Sequence, residues 1–276
     1  MTTVAPVTST ASAPLPSRRP AHRLLGLARA ELTLLLRNRM QLFTAIVLPL
    51  AVPFLYLPLR NRGMSDALLV GALGSMAVMI LLFVVYYNLL STYVARREAL
   101  VLKRLRTGEA SDATVLAATA VPALVIAGAM VAIAMTIAVA ILDLPLPQNP
   151  LLVVAGVVLG AAVSVPLALA TANITRTVES AQVTSLPFMA IALLGAGTAL
   201  PLEMLPDWAQ SLIAITPTAP LVELIRFGWL GTDASGAAIA GSDLATAALR
   251  QVGILVVWFC LGAWFVSTRF RWEPRG

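Results

Sequence analysis

Few side chains in this sequence could do chemistry, and the densest group of them lies between Ser91 and Thr114. Five cations sit there, Arg96, Arg97, Lys103, Arg104 and Arg106, with Glu98 among them. Ala95, Ala99 and Leu102 recur at helical spacing with Leu105 at the edge, so one side of a helix can be apolar and the other cationic. Thr107-Gly108 is a stop signal, and Ser111-Asp112 supplies cap chemistry for the next helix. Two readings fit. The stretch is a solvated loop whose charge sets topology, or it is a docking helix that offers charge-assisted contacts to a partner.

The rest of the inventory narrows the chemistry by exclusion. Lys103 is the only lysine of the chain and is followed by Arg104. A phosphate-binding P-loop needs Gly-x-x-x-x-Gly-Lys-Ser/Thr, so this sequence carries no ATPase site of that kind. The single histidine, His22, precedes every apolar run, which leaves no Ser-His pair and no His-Glu-x-x-His zinc site. The single cysteine, Cys260, sits inside an apolar run; it can form no disulfide within the chain and reads as packing. No metal site and no cofactor bound by this chain is expected.

The elements that position these residues are apolar. Of the 276 residues 59% are hydrophobic and 12% charged, against about 25% charged in a soluble domain. The fold class expected is an all-α integral membrane protein. Six runs are long enough to cross a bilayer: Gln41 to Leu59, Ala67 to Tyr93, Ala113 to Leu142, Pro150 to Ile174, Ala181 to Leu200 and Gln251 to Thr268. None holds an ionised residue at its centre. Several hold proline, which a bundle tolerates because neighbours re-satisfy the freed backbone. Gly156 and Gly160 form a Gly-x-x-x-Gly pair that permits close helix approach.

Residues 1–20 read as a disordered cytoplasmic tail with no apolar core of a secretory signal. Residues 21–40 read as an amphipathic helix along the inner surface, with Leu24, Ala28, Leu32, Leu35 and Leu36 on one face. Arg37 and Arg39 lead from it into the first span. Glu31 falls among the leucines with no ion-pair partner three or four residues away; it snorkels to water or meets a tertiary partner, for which an arginine of the 96–106 segment is the candidate. Residues 41–276 form the six-span domain. Arginines crowd the amino-terminal segment, the loop after the second span, and the carboxyl terminus, whereas acidic residues dominate the alternate loops, so both termini are expected in the cytoplasm.

The connection from Pro201 to Arg250 is long yet apolar. Pro206, Asp207 and Trp208 read as a first helical turn with its carboxylate at the positive dipole end. Thr216-Pro217 breaks that helix, and a second short helix carries Glu223 and Arg226, three apart and able to pair. A plain extracellular cap and a re-entrant hairpin fit equally. Gly231 to Asp243 reads as a flexible approach to the last span.

In this order the elements resemble the permease subunit of ABC type-2 exporters, the group that includes daunorubicin-resistance-type permeases. Three stretches carry the resemblance: Glu31 to Arg39, Arg97 to Gly108, and Pro201 to Trp208 followed by Thr216-Pro217 and Glu223 to Arg226. Ala99 departs from it, standing where glycine is common, and so does Thr216, standing where asparagine often precedes proline. The resemblance implies two permease chains, identical or related, around a pathway. It also implies a separate ABC ATPase subunit that holds ATP and Mg and docks on Arg96, Arg97, Glu98, Leu102, Lys103, Arg104, Leu105 and Arg106. The expected function is export of an amphipathic or lipophilic substrate (a drug, natural product or lipid) across a bacterial cell membrane, with no nucleic-acid partner. The competing class is a secondary transporter or channel; such proteins place ionisable residues inside their spans, and this one does not. A membrane enzyme lacks its histidine and carboxylates at depth.

Overall fold

The structure is a computed structural model, and it describes residues 54–100, 112–197, 205–233 and 236–269. Among these the fold is all-α, with one isolated β-bridge between Thr232 and Ala238. Residues 54–60 are helical, but the remainder of the first expected span lies outside the described residues. So do the tail and the amphipathic helix of residues 21–40.

Among the described residues five helices are long and apolar enough to cross a membrane. Helix α1 covers Asp66–Glu98, α2 Asp112–Leu142, α3 Pro150–Ile174, α4 Val178–Gly195 and α7 Gly241–Arg269. Between the last two lie α5, Asp207–Ala214, and α6, Ala219–Leu230, bent 82° from one another. Counted as one broken span, the pair raises the total to six.

Local chemistry explains most boundaries. Ser65 caps α1 by accepting from the Leu68 amide, and Asp66 occupies its first turn. Proline at the first position opens α3 behind Asn149. Helix α4 begins with a reciprocal capping box between Thr177 and Ser180, three residues before the expected Ala181, and closes at Gly195 rather than Leu200. The sixth expected span starts at Gln251, but α7 already begins at Gly241. Its first turns are polar, with Ser242, Asp243 and Thr246, so hydropathy passes over them although Asp243 suits the positive dipole end. The described residues on the approach to α7 make turn contacts. Gly231 closes α6 in the left-handed region, Ile239 donates to the Gly231 carbonyl at 2.7 Å, and Ala237 donates to the Asp233 carboxylate at 2.9 Å.

Helix α1 is not uniform. Leu81–Tyr87 is a π-helix, seven residues long, set between two α-helical stretches. Such segments are rare and concentrate at functional positions.

Helix α6 sits inside the bundle, against α1 and α3. Leu224 and Ile225 are fully buried, as are Leu221 and Trp229 within a few per cent. Of the two open readings of this connection, the surface cap is corrected: α6 is a core element. Lipid tails are as apolar as leucine, so burial alone does not draw a helix inward; close packing does. Gly156 and Gly160 of α3 provide it. A Cβ on Gly156 would lie 3.0 Å from Leu224 Cβ, and one on Gly160 would overlap Leu221. On the far side of the same contact Gly228 of α6 sits against Val153 and the Asn149 carbonyl. The Gly-x-x-x-Gly pair therefore receives a helix of its own chain.

Candidate functional site

The sequence pointed to two places, and they lie at opposite ends of α1 and α3. The loop end gathers the carboxyl ends of α1 and α3. The hairpin end gathers their amino-terminal halves around α5 and α6.

At the loop end α1 stops at Glu98, with Ala99 as its C-cap and Leu100 at φ 56°. The expected single helix running to Thr107-Gly108 is thereby corrected. Ala99 donates to the Ala95 carbonyl and Leu100 to that of Arg97, both at 3.0 Å, which closes the last turn. Leu100 takes a left-handed conformation that a branched side chain rarely adopts. Arg96 and Arg97 lie in this last turn, where cations suit the negative dipole end.

The two arginines point in different directions. Arg96 donates to the Thr119 hydroxyl of α2 at 2.9 Å. Arg97 is only 1% exposed and donates from Nη1 to the Ala172 carbonyl at 2.9 Å and from Nη2 to the Thr175 carbonyl. It faces the inside of the bundle, which corrects its placement on an outward docking face. Glu98 is exposed. Leu102, Lys103, Arg104, Leu105 and Arg106 lie outside the described residues, as do Glu31, Arg37 and Arg39.

Around Arg97 the structure assembles hydroxyls that the sequence reading passed over. The Tyr86 hydroxyl lies 3.1 Å from that of Thr171, Thr175 and Thr184 hydroxyls meet at 2.7 Å, and Tyr93 donates to the Leu116 carbonyl at 3.0 Å. The one sequence signal was Thr171 and Thr175, four apart at the end of an apolar run and thus on one helix face.

At the hairpin end Pro206 is the N-cap of α5 with Asp207 in its first turn, as the sequence anticipated. Trp208 is 68% exposed. The bend falls at residues 215–218 and includes Pro217. Its backbone is not helical, and at membrane depth such backbone persists only where protein satisfies it. Trp258 of α7 donates to the Ile215 carbonyl at 2.8 Å, and the Thr218 hydroxyl donates to the Ala192 carbonyl at 2.9 Å. Lower on α6, Trp229 donates to the Pro145 carbonyl at 2.7 Å, and Asn149 donates to that of Gly228 at 2.8 Å. Glu223 and Arg226 pair at 2.9 Å, both partly buried, and Arg226 lies over Gly71 of α1. A second pair, Arg60 with Asp66 at 2.6 Å, ties the start of α1 to the Asp143 carbonyl after α2.

Between the two ends, under the bend, is a small recess with a cavity volume of about 20 Å³. Val78, Leu81 and Leu82 of α1, Gly160 of α3, Phe188 of α4 and Pro217 line it, together with the polar Ser164 of α3 and Thr218. The π-helical stretch thus forms part of its wall. Among the described residues the middles of α1, α2, α3 and α4 hold no Asp, Glu, Lys or Arg; in α7, Arg250 precedes the apolar run. These helix middles offer no fixed charge for ion coupling; the partly buried pair Glu223 and Arg226 lies on α6 instead.

A search of curated proteins returns no match. The sequence profile of the ABC-2 type transporter family matches residues 23–230, from the expected interfacial helix to the end of α6. Covering that length, the match meets the apolar helices, the basic turn and the buried bent pair in their order. The chain therefore belongs to the ABC-2 type transporter family: it is a multi-pass membrane protein and the permease component of an ABC-type transporter, a component that normally works with an ABC ATPase subunit.

Proposed function

We propose that this permease exports an amphipathic or lipophilic substrate from the cytoplasm, in the manner of the daunorubicin-resistance-type group, and that both its termini face the cytoplasm of a bacterial cell. Two permease chains form the pathway. ATP and Mg are held by the separate ATPase subunit, which meets the chain at Glu98 and the segment Leu102 to Arg106. The observation that supports the reading is the absence of Asp, Glu, Lys and Arg from the middles of α1, α2, α3 and α4 among the described residues. A lipophilic cargo crosses such an interior at little desolvation cost, whereas an ion-coupled transporter needs charges there. An ATPase can shift the permease only by binding one of its conformations more tightly than another, so docking geometry is the testable point.

Glu98→Gln and Leu102→Asp are the test, with a lysine-for-arginine exchange at Arg104 as control for charge alone. Losing one charge-assisted contact at a buried interface costs about 2–5 kcal/mol. Both variants should reach normal membrane abundance, yet capture much less ATPase subunit from detergent extracts. The purified chain alone should hydrolyse no ATP. Normal ATPase capture by both variants would return the segment to a topology signal, and hydrolysis by the isolated chain would overturn the division of labour.

A further inference from the structure

Arg97 sits where a docking residue would be of no use. We propose that it is a positioning residue, which fastens the chain leaving α1 toward residues 101–111 to the end of α3 and, through α3, to the bent pair at the opposite end. The proposal rests on the reading that this segment meets the ATPase, and it adds the route by which the meeting is felt.

Three observations converge on it. First, the last carbonyls of a helix have no intrahelical donors and form its negative end. Arg97 supplies two donors there, to Ala172 in the last turn of α3 and to the cap residue Thr175. A guanidinium fork reaches two acceptors at once, which a lysine ammonium cannot do in the same geometry. Second, the chain leaves α1 at once: Glu98 is its last residue, and Leu100 already turns at φ 56°. No slack separates Arg97 from the chain leaving α1, so a displacement of that chain displaces this fork. Third, the end of α3 is held as a unit. Tyr86 of α1 meets Thr171 one turn up, and Thr175 meets Thr184 of α4.

Helix α3 then spans the distance. Its 25 residues extend about 37 Å, with Pro166 inside the helix. Near the other end Gly156 and Gly160 hold Leu224 and Leu221 of α6. That contact is too close for α3 to shift without moving α6 or separating from it. The neighbouring Arg96 donates to Thr119 of α2. Of these two partner helices, α3 is the one seated against the bent pair.

Amide hydrogen exchange on the full chain in lipid nanodiscs tests this for the parent, Arg97→Gln and Arg97→Lys. In Arg97→Gln, exchange should rise at least tenfold at residues 172–177 and also in residues 219–230, while residues 115–120 of α2 stay unchanged. Arg97→Lys should lie between the two. A rise confined to residues 172–177 overturns the proposal, because the bent pair then does not feel the end of α3. A uniform rise over all helices also overturns it, because Arg97 is then merely structural. In parallel, ATPase capture by Arg97→Gln should equal that of the parent; reduced capture at normal abundance would make Arg97 a docking residue after all. If the parent captures no ATPase, the docking reading fails, while the exchange pattern still decides whether Arg97 links the chain leaving α1 to the bent pair.

Discussion

The two ends of α3 are held by opposite means. Near its start Gly156 and Gly160 accept Leu224 and Leu221 chiefly by close packing, with the Leu221 carbonyl also beside Gly156. At its finish an arginine fork and paired threonine hydroxyls hold the backbone carbonyls. The first contact depends on volume and is indifferent to direction. The second depends on donor geometry and is indifferent to a methylene. In a bilayer both are effective, since apolar side chains gain little by leaving lipid and unsatisfied carbonyls lose much. A helix held in this way can be worked from one end by rotating a fork, and resists at the other until a whole packed surface moves.

The largest expected effect would break the volume-dependent end. Gly160→Leu places a branched side chain where a single Cβ already overlaps Leu221. Overpacking of this kind costs about 1–3 kcal/mol, occasionally more. Thermal unfolding in nanodiscs should show the loss, and Leu221→Ala should restore part of it. Full stability in the single variant would mean that α6 is not seated on α3.

A middle effect tests whether the hairpin end has a directional component of its own. Glu223→Ala removes the partner of Arg226 at 2.9 Å, and hydrogen bonds to charged groups contribute about 1.5–3 kcal/mol. The pair is only partly buried, so the lower figure is expected. Combined with Arg226→Ala, the stability loss should be less than additive. Additive losses in that double-mutant cycle would make the pair incidental.

The smallest effect sharpens the loop end. Thr119→Val keeps the shape of the hydroxyl acceptor for Arg96 and removes its hydrogen bond. A loss of about 0.5–1.5 kcal/mol is expected by chemical denaturation, with ATPase capture unchanged. A loss of capture would tie Arg96, not only the loop beyond it, to the partner surface.

The difference between the ends also explains what could be read in advance. Pro150 behind Asn149, and the Thr216-Pro217 break, are local signals, and the structure follows them at the start of α3 and at the bend. Glu223 and Arg226 are local too, three apart on one helix. Nothing local marks the stop at Glu98, where neither glycine nor proline stands. The sequence pattern of Ala95, Ala99 and Leu102 continues past it, but Ala99 is the C-cap and the chain turns at Leu100. The inward course of Arg97 was equally hidden, because its acceptors lie 75 and 78 positions away. Periodicity shows that a cation can avoid the apolar face; it does not show which distant carbonyls need one. The glycine pair was visible, but its partner was not, since hydropathy does not separate a helix seated in the bundle from one at its surface.

The π-helical stretch Leu81–Tyr87 has a consequence for how this chain tolerates change in length. Here Asn88 reaches back to the Phe83 carbonyl, one residue further than an α-helix would. In an ordinary helix a one-residue deletion rotates everything beyond it by about 100°, which would swing Arg97 away from α3. Within Leu81–Tyr87 such a deletion has a place to be absorbed, by tightening a wide turn into an α-turn. Along α1, this is the one stretch in which losing a codon need not put its two halves out of phase.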